Sequence, residues 1–172
     1  MAAAPGRLSR TRSITGMLIV TVVMACLWPA PAGAESPADA WNRLMDAARE
    51  AYHAGRYGEG VRFAEEALEI VRTTLGERDE RTLTTLNDLA LLYQGQGRYG
   101  EAEPLLVQVL ERRREVLGAD HLHTLTGLNN LAALYRVQGR YGEAEPLFEQ
   151  VLEESRENLL LLCHKGLPIL GA

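Results

Sequence analysis

Cysteine is almost missing from this chain: among 172 residues there are only Cys26 and Cys163. Cys26 falls in an amino-terminal run that reads as a removable leader, so a processed chain keeps Cys163 alone. That excludes an internal disulfide. It also excludes a structural zinc site, which needs four ligands and finds only one cysteine and clustered histidines. Aromatic residues make up just 6%, while Leu, Ala and Glu dominate the second half, a composition that favours helix. Basic charge is also short. The segment 1–34 holds Arg7, Arg10 and Arg12 and no acid, so the 18 basic and 23 acidic residues of the whole chain become 15 and 23 beyond it, a net charge of −8. A nucleic-acid-binding face is not expected from such a balance. No serine, cysteine or histidine stands in a nucleophile arrangement, and His53 and His164 are isolated. Neither a catalytic residue nor a cofactor is expected.

What is present begins with the leader. Three arginines precede the apolar run ITGMLIVTVVMACLW (14–28), and PAPAGAES follows, with small residues at Ala32, Gly33 and Ala34. This predicts a signal peptide over 1–34, cleaved after Ala34, and an exported chain, periplasmic or secreted. Two alternatives keep a membrane attachment. The run is short of the roughly 20 residues a span needs, yet an uncleaved segment would anchor the chain. VMAC (23–26) also resembles a bacterial lipoprotein signal in which Cys26 is lipidated, with Met24 in place of the usual small residue.

Beyond the leader the chain repeats itself. Gly-Arg-Tyr recurs with one constant period at 55–57, 97–99 and 139–141, and QGRYGEAEPL occurs at both 96–105 and 138–147. Leu83, Leu86, Leu89, Ala90 and Tyr93 return as Leu125, Leu128, Leu131, Ala132 and Tyr135. Leu105, Leu106, Val109 and Leu110 return as Leu147, Phe148, Val151 and Leu152, and Leu75-Gly76 as Leu117-Gly118. A period of this size signals a solenoid. Within a unit the apolar residues fall three and four apart, as amphipathic helices require, the second stripe extending to Val116 and Leu117.

The repeated decapeptide reads as the corner between two helices. Gly97 can take the left-handed conformation that ends the first. Gly100 is expected to cap the second, with Glu103 near its positive end and Pro104 where a missing N–H costs little. Tyr99 and Ala102 are expected to fill the corner. Ser36, Pro37 and Asp39 provide a start for the first helix of all.

These residues carry a family resemblance. Leu86-x2-Leu89-Ala90-x2-Tyr93 followed by Gly97-Arg98-Tyr99-x-Glu101-Ala102-Glu103 resembles the tetratricopeptide repeat, and the 42-residue spacing is similar to the longer subtype of kinesin light chains and many bacterial proteins. The resemblance implies an all-α fold, a right-handed superhelical solenoid of antiparallel helix-turn-helix repeats. It covers about 40–157, with a repeat domain over 35–157 and units near 40–81, 82–123 and 124–157. The first unit reads as a degenerate cap, having Gly60 where the others have Ala102 and Ala144, and Ala51 where they have Tyr93 and Tyr135. The family's His-Pro before Thr-Leu is replaced by Glu80-Arg81 and Leu122-His123, leaving the inter-repeat turn open. Residues 158–172 form an atypical apolar tail outside the period, read either as a capping helix or as the broken end of a longer protein.

Three further motifs have plain readings. GQGRYG (95–100) matches a dinucleotide-binding glycine pattern but sits between helices rather than after a strand. Asp120, His121 and His123 have metal-like spacing but fall in an inter-repeat turn. Arg112-Arg113-Arg114, flanked by Glu111 and Glu115, reads as a solvated helix face.

What is left for function is a surface. The resemblance implies a concave groove lined by the first helix of each pair, with asparagines that pair with a peptide backbone, and the matching positions are Asn87, Asn129 and Asn130. Asp88, Leu91, Gln94 and Arg136 complete the candidate groove. The expected role is therefore a non-catalytic scaffold for a protein or peptide ligand. A regulatory module of a larger enzyme or signalling protein is a second reading. Self-association through the last repeat and its tail is a third.

Overall fold

The structure is a computed structural model, and it describes residues 35–164. The expected leader, its cleavage site after Ala34, Cys26 and the end of the tail (165–172) lie outside the described residues. Within them the chain forms six helices and no strand: α1 (Pro37–His53), α2 (Tyr57–Leu75), α3 (Glu80–Gly95), α4 (Tyr99–Leu117), α5 (Leu122–Val137) and α6 (Tyr141–His164). Each helix packs on the next in sequence. In addition α1 meets α3 and α3 meets α5 along their backbones, whereas the backbones of α2, α4 and α6 stay apart, α4 reaching α6 through the Arg114 guanidinium on Gln150 at 3.2 Å. The odd-numbered helices therefore lie on the inner side of a curved stack of three helix pairs.

The start of α1 follows from its sequence. Ser36 accepts a hydrogen bond from the Asp39 N–H at 3.1 Å, and Pro37 occupies the first turn, where its missing N–H loses nothing. The corner glycine behaves as expected too: Gly97 has φ +73°, and the chain turns back through a hydrogen bond from the Arg98 N–H to the Tyr93 carbonyl at 2.9 Å.

The second helix of the pair differs from expectation. It begins at Tyr99, with Arg98 rather than Gly100 at the cap. Arg98 makes no capping hydrogen bond; its guanidinium pairs with Glu101 in the first turn and lies 4.3 Å above the Tyr93 ring. Arg140 repeats this with Glu143 at 2.7 Å and Tyr135 at 4.1 Å. Since the helix begins early, Pro104 is inside it and opposes the Gly100 carbonyl four residues back. Gly100 is exposed, so water can reach that carbonyl. Glu103 does not serve its own helix end: it reaches Arg140 at the next corner, 2.7 Å away.

The turn between pairs is closed by a threonine. Thr82 donates to the Gly76 carbonyl at 2.7 Å, and Thr124 does the same to Gly118 at 2.8 Å. Asp79 caps α3, and His121, its equivalent one period later, caps α5 by accepting the His123 N–H at Nδ1.

Packing follows the expected stripes in the second pair with departures at single positions, while in the last pair Leu147, Phe148 and Val151 are only partly buried and Leu152 is exposed. Leu83, Leu86, Leu89, Ala90 and Tyr93 are buried, as are Ala102, Leu106, Val109 and Leu110, but Val116 is half exposed. Leu92 and Leu134, on another face, are fully buried because each inner helix also seats against the preceding pair. Gly60 is part of that seat. A Cβ there would lie 2.5 Å from Leu92 Cδ2 and 3.2 Å from the Ala48 carbonyl, so the residue read as a mark of degeneracy lets Leu92 seat closely, and an alanine there would make that side chain shift.

Arg113 departs most. It is only 3% exposed, not solvated, and donates to Glu80 at 2.7 Å, Thr84 at 3.2 Å and the His123 carbonyl at 3.1 Å. His123 Nδ1 meets the same Glu80 oxygen at 2.8 Å. One guanidinium thus ties α3, α4 and α5 together. Arg113→Ala is expected to cost about 3 kcal/mol by leaving a half-buried carboxylate uncompensated, while Arg112→Ala and Arg114→Ala stay within about 0.5 kcal/mol. Urea unfolding of the three variants checks this, and equal losses would contradict it.

Candidate functional site

The inner surface is built from positions that recur once per repeat but carry different side chains. One position is Arg49, Leu91 and Ala133; another is Asp46, Asp88 and Asn130; a third is Tyr52, Gln94 and Arg136. Where α1 meets α3 these positions enclose a cavity of about 200 Å³, lined by Ala48, Arg49, Tyr52, His53, Asp88, Leu91 and Leu92. Its wall is chiefly apolar, with one charged pair at the side: Arg49 Nε lies 3.1 Å from Asp88 Oδ2. Tyr52 is held edge-on by Tyr57, with ring centres 5.6 Å apart.

Of the seven expected groove residues, the structure brings Asp88 and Leu91 together in this cavity. Asn87 is placed differently. It is only 7% exposed, its Oδ1 accepts from Asn130 Nδ2 at 2.8 Å, and its own amide faces Asp88 Oδ1 at 3.4 Å. An amide so engaged links α3 to α5 rather than waiting for a peptide. Asn129 is exposed. Gln94 is partly buried, with its Oε1 enclosed and unpaired. Arg136 lies away from the α1–α3 cavity, 5.8 Å from the Phe148 ring, where it lines a separate opening on α6. Arg49, Tyr52 and His53 escape the sequence reading because the first unit reads as a cap. The signal is there nonetheless: one period before Leu91 and Gln94 stand Arg49 and Tyr52.

A wider cleft of about 500 Å³ opens on the opposite side among α2, α3 and α4, framed by Glu65, Tyr93, Glu101 and Pro104. Several of its polar groups are already matched, Tyr93 donating to Glu65 at 3.0 Å and Glu101 pairing with Arg98. The inner cavity, by contrast, offers an apolar wall beside a single charged pair. Among the described residues no three His, Cys, Asp or Glu side chains gather as metal ligands would.

Burial pushes the Asp88 carboxyl above its ordinary value of 3.8, and Arg49 only partly offsets this. A carboxyl raised in the folded state favours folding below its ordinary value, and that contribution is lost as pH rises through the raised value. Asp88→Asn should therefore flatten this part of the pH dependence and leave the protein no less stable at neutral pH, as Asn130 already occupies the matching place. Urea unfolding at acidic and neutral pH tests it; an unchanged slope would assign the dependence to another group.

Comparison with known proteins agrees with this architecture. The sequence matches the tetratricopeptide repeat family over residues 44–114 and 87–156. No curated protein matches at a significant level. Among solved structures, BtubC (BKLC) from P. vanneervenii superimposes with a TM-score of 0.66 at 20% identity, covering 83% of this chain and 55% of that one. A putative kinesin light chain from Podosopora anserina with nearly identical TPR-like repeats gives 0.66 at 29% identity, covering 72% of this chain and 58% of that one. The chain thus spans little more than half the length of these structures. With the period, the helix pairs, the corner glycines and the family match in agreement, this chain belongs to the tetratricopeptide repeat family.

Proposed function

We propose that this chain, in a family whose repeats generally mediate protein–protein interaction, is a non-catalytic scaffold that takes an extended peptide segment of a partner on its inner face, anchored at the α1–α3 cavity. The observation that supports it is that cavity: an apolar hollow large enough for one or two side chains, with the Arg49–Asp88 pair at its edge. Burying an apolar anchor there supplies affinity, and the charged edge orients it. The peptide backbone pairs with the exposed Asn129 rather than with Asn87, whose amide is spent between helices. The same reading holds if the chain acts as the interaction module of a larger enzyme or signalling protein.

Selection of peptides from a random displayed library on the full chain tests this. Enriched peptides should carry a recurring apolar anchor, and Leu91→Arg or Tyr52→Ala should weaken them about tenfold or more, roughly 1.4 kcal/mol. Both residues lie on the cavity wall and neither belongs to the buried core, so melting should change less than binding. Absence of enrichment, or binding indifferent to both variants, would overturn the assignment.

We further propose that the chain works outside the cytoplasm after removal of residues 1–34. No helix among the described residues is long and apolar enough to cross a membrane. Mass spectrometry of the chain from the exporting cell should find Glu35 as the first residue. An amino terminus at a lipidated Cys26, or an intact leader, would refute it.

A further inference from the structure

Among the described residues, each helix pair except the last is covered by the one that follows. On α4 the covering helix is received by Ala102, Leu106 and Leu110, all buried, and it comes close enough that a Cβ on Gly127 of α5 would lie 3.9 Å from Leu110 Cα. The corresponding positions on α6 are Ala144, Phe148 and Leu152. Leu110 is 5% exposed and Leu152 70%. Between Arg136, Tyr141, Phe148 and Leu152 lies an open cavity of about 400 Å³.

The seat also has a polar frame, with one acid at each junction: Glu65 on α2, where α4 has Val107, and Glu103 on α4, where α2 has Val61. At the first junction Glu65 accepts a hydrogen bond from the Tyr93 hydroxyl. At the second, Glu103 lies beside Tyr135 and pairs with Arg140 at 2.7 Å, five residues after that tyrosine. Their counterparts on α6 are Glu149 and Glu145, both exposed on the rim of the open cavity. The last helix therefore presents an apolar seat together with the two acids that, lower in the stack, engage a tyrosine and an arginine.

We propose that this face binds a helical hairpin of another protein, one whose first helix brings leucine and tyrosine side by side and whose corner brings an arginine five residues after the tyrosine. A second copy of this chain does not fit in register. Among the described helices only α1 has an outer face not covered by a preceding pair, and there Glu50 replaces Leu92 and Leu134 while Ala51 replaces Tyr93 and Tyr135. Head-to-tail stacking would press Glu50 against Glu145 and Glu149, so like charges oppose growth into a filament.

The probe is a synthetic peptide of residues 122–157 of this chain with Leu152→Arg, which keeps Leu134, Tyr135 and Arg140 and disables the peptide's own copy of the seat. Titrated into the full chain by calorimetry, it should bind one to one with an affinity on the order of micromolar and gain helicity in circular dichroism. Leu152→Arg in the chain, a largely exposed position that leaves folding intact, should weaken binding about tenfold or more, as should Tyr135→Phe with Arg140→Gln in the peptide. No binding, or binding unaffected by either change, overturns the proposal. So does light scattering that finds the unliganded chain dimeric through a contact abolished by Leu152→Arg, which would assign the face to a second copy.

Discussion

Everything in this structure depends on α3 being enclosed. A single helix pair buries one face of each member and leaves the other wet; it becomes stable by receiving the inner helix of its neighbour. α3 receives α1 and α2 on one side and α4 and α5 on the other, so Leu83, Leu86, Leu89 and Leu92 are all buried although they do not form one stripe. Burying a leucine fully is worth about 1.5–3 kcal/mol. Leu92 seated on Gly60 is thus one of the contacts that join the first pair to the second.

Enclosure also decides what polar residues can do there. Thr82, Thr85 and Asn87 on α3 are buried, so their polar groups must be matched inside the protein. Thr85 bonds the Arg81 carbonyl at 2.7 Å and accepts the Trp41 indole N–H at 2.9 Å, while Asn87 is held by Asn130. Such side chains are couplers between repeats. This places the conversion from sequence to function at an unexpected point: the asparagine most like a ligand donor by position is the one the stack has already used.

The legible part of the fold is whatever one repeat determines by itself. The constant period, the inner stripe of α3 and the left-handed corner glycine are local properties. What escapes depends on the neighbouring unit. Arg113 looks like its flanking arginines in a charge pattern, and only the approach of α3 and α5 to α4 gives it Glu80 and the His123 carbonyl. Glycine is a good cap, which points to Gly100 as the start of α4, but the Arg98 guanidinium on Glu101 and Tyr93 orders the first turn earlier. Val116 continues the spacing of its stripe past the point where another helix covers it. For the candidate site the same division holds: Asp88 and Leu91 follow from the period, whereas the α1 side of the cavity follows from α1 and α3 meeting.

The uneven side chains at equivalent positions bear on how a ligand would be read. Stepping one repeat at a time along the inner face gives Arg49, Leu91, Ala133 and then Tyr52, Gln94, Arg136, so no two pairs offer the same surface. A repetitive groove would let an extended peptide slide by one unit with little change in energy. Here a slide from the first junction to the second would exchange the Arg49–Asp88 edge for Leu91 beside Asn130, removing both charges. Specificity is a difference between such registers, and loss of a matched charged edge penalises the wrong one. The repeat supplies the frame, and departures from it at a few inner positions would let the proposed peptide be held in one register.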